Sequence, residues 1–74
     1  MIYADIIFWT NDINDFTIVL PFPPRIGDGI RFPSGTVKYY NGAGFTDNYF
    51  RISDIEWVFK DDQFEKLSIY VQNI

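Results

Sequence analysis

The chain has 74 residues, 47% of them apolar, with two tryptophans, eight phenylalanines and five tyrosines. A chain this short buries only about 60% of the surface its unfolded form exposes, so it has one small core to close and closes it with aromatic bulk. The absence of cysteine and histidine excludes a disulfide scaffold, a thiolate metal site, a cysteine nucleophile and the commonest general base, and a net charge of −4 with six scattered basic residues argues against a phosphate-binding surface.

Residues 2–10 read as a strand, because β-branched and aromatic types dominate. The even positions Ile2, Ala4, Ile6 and Phe8 are all apolar. Strand side chains alternate faces, so this set should face the core. The other set, Tyr3, Asp5, Ile7 and Trp9, is mixed. No basic residue precedes the opening apolar run and Asp5 interrupts it, so the expectation is a cytoplasmic protein without a targeting signal or a membrane span. Residues 11–15 read as a polar turn, or as one helical turn capped by Asn11 or Asp12. Residues 16–20 form a second strand with Phe16, Ile18 and Leu20 on one face. Pro21-Phe22-Pro23-Pro24 lacks three N–H groups and reads as an extended crossing. Ile26-Gly27-Asp28-Gly29-Ile30 is a tight turn into a third strand over residues 30–32, which Pro33-Ser34-Gly35 ends. Residues 36–40 and a segment from Phe45 flank Asn41-Gly42-Ala43-Gly44, a hairpin loop by its turn residues. Residues 48–59 are the longest strand, 60–63 a polar turn, and 64–72 the last strand, with Leu67, Ile69 and Val71 inward. No window shows helical periodicity.

The long strand contains a phase slip. Phe50 and Ile52 share one phase, while Ile55, Trp57 and Phe59 share the other. A β-bulge at Ser53-Asp54 would turn both sets to the core and bend the strand, which is how a small barrel closes. The expected fold is therefore all-β: one domain over residues 1–74, an SH3-like barrel of five or six antiparallel strands, with an OB-like barrel as the alternative. Trp57 is expected at the centre of the core, with Phe59, Phe50, Phe8 and Phe32 around it.

The run Leu20-Pro21-Phe22-Pro23-Pro24-Arg25-Ile26-Gly27-Asp28-Gly29-Ile30 resembles the Pro…Gly-Asp entry to a strand in small SH3-like barrels. Tyr49-Phe50-Arg51-Ile52-Ser53-Asp54-Ile55-Glu56-Trp57 resembles the strand that follows it. Together they are similar to short, uncharacterised bacterial proteins, some from mobile elements. The resemblance covers roughly the middle half of the chain; it implies a barrel and no activity.

The remaining motifs read more simply as structure than as chemistry. Pro21-x-x-Pro24-Arg25 fits a proline-rich ligand, but its place between two strands makes it a rigid connection. The oxygen-rich run 11–15 departs from a calcium loop: counted from Asp12, the fifth and sixth positions are Phe16 and Thr17. Gly27-Asp28-Gly29 is too short for a phosphate loop. Asp5, Asp54 and Glu56 lie inside strands, and they read as solvated faces. No cofactor, metal or enzymatic activity is implied. The aromatics of the mixed phases point instead to a binding or assembly module that meets a protein partner or a second copy. Ile7, Trp9, Tyr39, Tyr40 and Tyr49 are its candidate interface, the alternative being that the hairpin over residues 36–49 covers the Ile7–Trp9 face. The alternative is a single-stranded nucleic-acid binder that stacks bases on Tyr39, Tyr40 and Tyr49, against which the acidic balance weighs.

Overall fold

A computed structural model describes residues 1–39 and 48–73. Five strands form one sheet: β1 (Ile2–Phe8), β2 (Phe16–Leu20), β3 (Gly29–Arg31), β4 (Tyr49–Lys60) and β5 (Gln63–Asn73). Their spatial order is β2-β1-β5-β4-β3. The described residues contain no helix, and the 11–15 segment is a turn whose Ile13 is buried. The sheet curls into a half-barrel, consistent with a small SH3-like or OB-like barrel.

One pairing departs from the antiparallel expectation: β1 and β5 run parallel, with Ala4 beside Leu67 and Phe8 beside Val71. Alternation of apolar residues assigns faces but not strand direction. No tight turn joins β1 to β5, so nothing local dictates how they run.

The bulge falls where the phase slip puts it. Ile52 registers with Val71 and Asp54 with Tyr70, leaving Ser53 without a partner across the ladder. The Ser53 hydroxyl donates to the Tyr70 carbonyl at 3.1 Å, which fastens the extra residue to β5. Phe50 and Ile52 before the bulge, and Ile55 after it, thereby all turn to the interior.

Four phenylalanines close the half-barrel. Ring centroids lie 5.2 Å apart for Phe8–Phe50, 6.0 Å for Phe8–Phe16, 5.0 Å for Phe16–Phe32 and 6.2 Å for Phe32–Phe50. Phe16 belongs to one edge strand and Phe32 directly follows the other, so the cycle joins the two edges over the core. Ala4, Ile6, Val37, Ile52, Leu67, Ile69 and Val71 are buried with it.

Phe8, Phe32 and Phe50 are thus core residues as expected, but Trp57 and Phe59 are not. Trp57 is 52% exposed and Phe59 57% exposed, whereas Phe50 is fully buried. Phase correctly assigned their face; depth was decided by what lies opposite. β3 pairs with β4 only from Tyr49 to Arg51, so it stops well short of Trp57.

The turn before β3 is built on Asp28, whose carboxylate accepts the Arg25 N–H at 2.9 Å while its own N–H donates to the Arg25 carbonyl at 3.1 Å. Gly27 supplies the left-handed φ of 94° between them. The Gly27 N–H donates to the Ile52 carbonyl, and the Ile52 N–H to the Asp28 carbonyl, extending β3's hold on β4 by one residue. Of the strand expected over residues 36–40, the described residues 36–39 are in no named strand and carry an isolated bridge between Tyr39 and Ile13, and residue 40 lies outside the described residues. The expected loop 41–44 lies outside the described residues.

On the outer face, a polar chain crosses three strands. Lys66 Nζ on β5 donates to Asp5 Oδ2 on β1 at 2.6 Å, and Thr17 Oγ1 on β2 donates to Asp5 Oδ1 at 2.7 Å. The Lys66 ammonium, then the Thr17 hydroxyl, hold the Asp5 carboxyl below its ordinary pKa, against a smaller opposing effect of burial. Asp5 in turn raises the Lys66 pKa.

Two outcomes are expected. Deleting Ser53 reverses the face of one half of β4 and should abolish the cooperative thermal transition; an unchanged midpoint would mean the register argument is wrong. Asp5 is depressed in the fold, so its stabilisation is complete above the ordinary carboxylate pKa, about 4, and is lost as pH falls through the lower folded value. Lys66 is raised, so its contribution holds at neutral pH and disappears only as pH rises through its folded pKa. The stability difference between wild type and Asp5→Asn, measured by denaturant titration, should therefore be largest near neutrality and shrink below pH 4. A difference independent of pH in that range would remove the ion pair as its source.

Candidate functional site

β4 and β5 outrun the rest of the sheet. β1 accompanies β5 only from Leu67 to Val71, and β3 leaves β4 at Arg51. Residues 58–60 and 63–66 therefore form a two-stranded hairpin end beyond β1 and β3, while residues 54–57 pair with the part of β5 that β1 still flanks, along a molecule with a 40 Å long axis. Its turn is Asp61-Asp62, with Asp61 at φ 57°, a left-handed conformation that Asp tolerates.

The inward phase of β4 continues along this hairpin as Trp57 and Phe59. On β5 a second irregularity joins in. Val58 registers with Lys66 but Phe59 with Phe64, so Glu65 is left over. Without that extra residue, Glu65 would share the phase of Leu67 and Ile69, and Phe64 would face the other way. The bulge exchanges them and completes an aromatic triad. Ring centroids are 5.3 Å apart for Trp57–Phe64 and 5.8 Å for Phe59–Phe64. All three rings are exposed, Phe64 at 39%. Nothing among the described residues covers them.

The expected interface residues are distributed differently. Trp9 lies just past β1, with its ring 6.2 Å from Phe8 and 6.1 Å from Phe50, at the rim of the core and half exposed. Ile7 is half-buried, registers with Tyr70 and shares a shallow depression with Ile13 and Asp15. Tyr39 packs against the core. Tyr49 is on the opposite face, where a Cβ on Gly29 would come within 2.5 Å of its hydroxyl and the Arg31 guanidinium sits 4.6 Å above its ring. Tyr39 and Tyr49 are therefore not brought together, and Tyr40 lies outside the described residues. Sequence reasoning assigned Trp57 and Phe59 to the core and passed over Phe64. The signal for Phe64 was present, because its phase is opposite to that of Leu67, Ile69 and Val71.

No group of three or more metal-ligating side chains converges among the described residues. Among them no helix is long and apolar enough to cross a membrane. A comparison with protein-family models, curated proteins and solved structures found no match.

The position of Trp57 outside the core has a measurable consequence. Phe50→Ala should destabilise by about 3–5 kcal/mol, a large part of the stability of a domain this small. Trp57→Ala should lose less than about 1 kcal/mol. Chemical denaturation of the two variants ranks them, and a Trp57→Ala loss equal to that of Phe50→Ala would return Trp57 to the core.

Proposed function

We propose that this protein is a non-enzymatic binding or assembly module and that it meets a protein partner through the aromatic face of the β4–β5 hairpin. One observation carries the reading: Trp57, Phe59 and Phe64 prolong the core face of the sheet past the end of β3, and all three rings are exposed. Apolar surface left in water costs about 25 cal/mol per Å², and aromatic residues on such a face are the type enriched at the centres of interfaces. A chain without histidine or cysteine supports binding over catalysis, and the lack of cysteine suits a reducing compartment such as the cytoplasm. The resemblance to small bacterial barrel proteins agrees with a module of this kind. The nucleic-acid reading draws less support, because Tyr39 is packed away, the Tyr49 ring already carries Arg31, and the net charge is −4.

Trp9 and Trp57 are both half exposed, and that makes them a matched pair for the test. In affinity capture with quantified stoichiometry, Trp57→Lys should lose the bound protein that wild type retains, while Trp9→Lys should keep it. Equal retention by both variants would remove the hairpin as the contact surface.

A further inference from the structure

We propose that the hairpin's partner is a second copy of the same chain, paired strand to strand along the free edge of β4. The inference rests on the hairpin being the contact surface and adds the occupant and its register.

The edge is open. The bonds of Ile52 to Gly27 and Asp28 are the last from the β3 side, and among the described residues no strand pairs with β4 on that side beyond them. Its backbone is also turned outward. The Ile55 N–H donates to the carboxylate of its own neighbour, Asp54, at 2.9 Å, so it points away from β5. In an antiparallel pair, alternate residues direct both backbone groups the same way. Trp57 and Phe59 therefore present N–H and C=O to the edge as Ile55 does, while Glu56, Val58 and Lys60 bond toward β5.

This edge complements itself. Two copies paired antiparallel about Trp57 set each Trp57 opposite the other. Ile55 then faces Phe59 of the second copy, Glu56 faces Val58, and Asp54 faces Lys60. One face of the joined ladder is entirely apolar. The other carries the opposite-charge pair twice, once on each side of the two-fold axis. Centring on Glu56 instead would put like charges opposite each other. Centring on Val58 would pair Glu56 with Lys60 but drop Ile55 and Asp54 from the ladder. In the Trp57 register the Phe59 carbonyl of the second copy takes over the Ile55 N–H, which frees the Asp54 carboxylate for Lys60. Asp54 thus guards the edge in the single chain and aligns it in the pair.

Charge exchange tests both the partner and the register. In sedimentation equilibrium over a wide concentration range, wild type should dimerise. Asp54→Lys alone and Lys60→Asp alone should each weaken dimerisation by about tenfold or more, since both symmetric pairs become repulsive. An equimolar mixture of the two variants should associate as wild type does, because every pair across that interface is again opposite in charge. A single chain carrying both substitutions should also recover. Far-UV circular dichroism confirms folding of each variant. Wild type that stays monomeric at millimolar concentration overturns the proposal, and so does a mixture that fails to associate. If the monomer still captures another protein in a Trp57-dependent way, the contact surface stands and only the second copy is wrong. A dimer indifferent to both charge reversals and to Trp57→Lys overturns the register and the hairpin surface together.

Discussion

The cycle of four phenylalanines is the contact on which the rest of the architecture depends. A sheet of order β2-β1-β5-β4-β3 has two edges, and β3 contributes only three residues to its own. Hydrogen bonding cannot close it. Phe16 and Phe32 bring those edges together edge-to-face, at an interplanar angle of 79°, and Phe8 and Phe50 complete the loop from the strands between. Aromatic pairs of this geometry contribute about 0.5–1.5 kcal/mol beyond the area they bury. Such a cycle concentrates the apolar bulk of a short chain at one end of the sheet, where every ring has another ring to cover it.

That concentration explains the opposite end. β4 has 12 residues and β5 has 11, whereas β2 and β3 have five and three. The short strands are spent on the closed end, so the long pair continues alone. Two bulges act on this pair of strands. The one at Ser53 lets the inward phase of Phe50 and Ile52 pass to Ile55. The one at Glu65 carries that phase to Phe64, on a stretch with no interior left to face. One extra residue there turns Phe64, in place of Glu65, to that face.

Much of this was legible in the residues, and its limits are physical. Side-chain alternation reports faces, so the inward sets of β1 and β5 and the slip at Ser53-Asp54 could be read directly. It does not report depth. Trp57 shares the phase of Ile55, yet Ile55 packs half-buried against the core while Trp57 is exposed, well beyond the end of a three-residue β3 whose length no local pattern encodes. Strand direction escapes for a related reason: Ala4 and Leu67 alternate identically whether their strands run parallel or antiparallel. The aromatic face was missed because apolar residues in the core phase were equated with the core. The useful correction is to compare the lengths of pairing strands before assigning depth. Where one strand outlasts its neighbours, its inward residues become a surface.

An unpaired edge beside an exposed aromatic face is a liability, because any extended chain can add to it. The hairpin carries devices that narrow the choice. Asp54 occupies the first outward N–H with its own carboxylate. Lys60, Asp61 and Asp62 place charge at the tip, where an incoming strand would have to end. Between them, Glu56 sits on the face opposite Trp57, so a partner strand in the wrong register brings an acid against an acid or buries one against an apolar side chain. Such charges contribute little to affinity when exposed, but they discriminate among registers that the apolar face alone would accept equally. In the proposed pairing, then, the aromatic residues would supply attraction without selectivity, and the short alternation of Asp54, Glu56, Val58 and Lys60 on the reverse face would supply the selectivity.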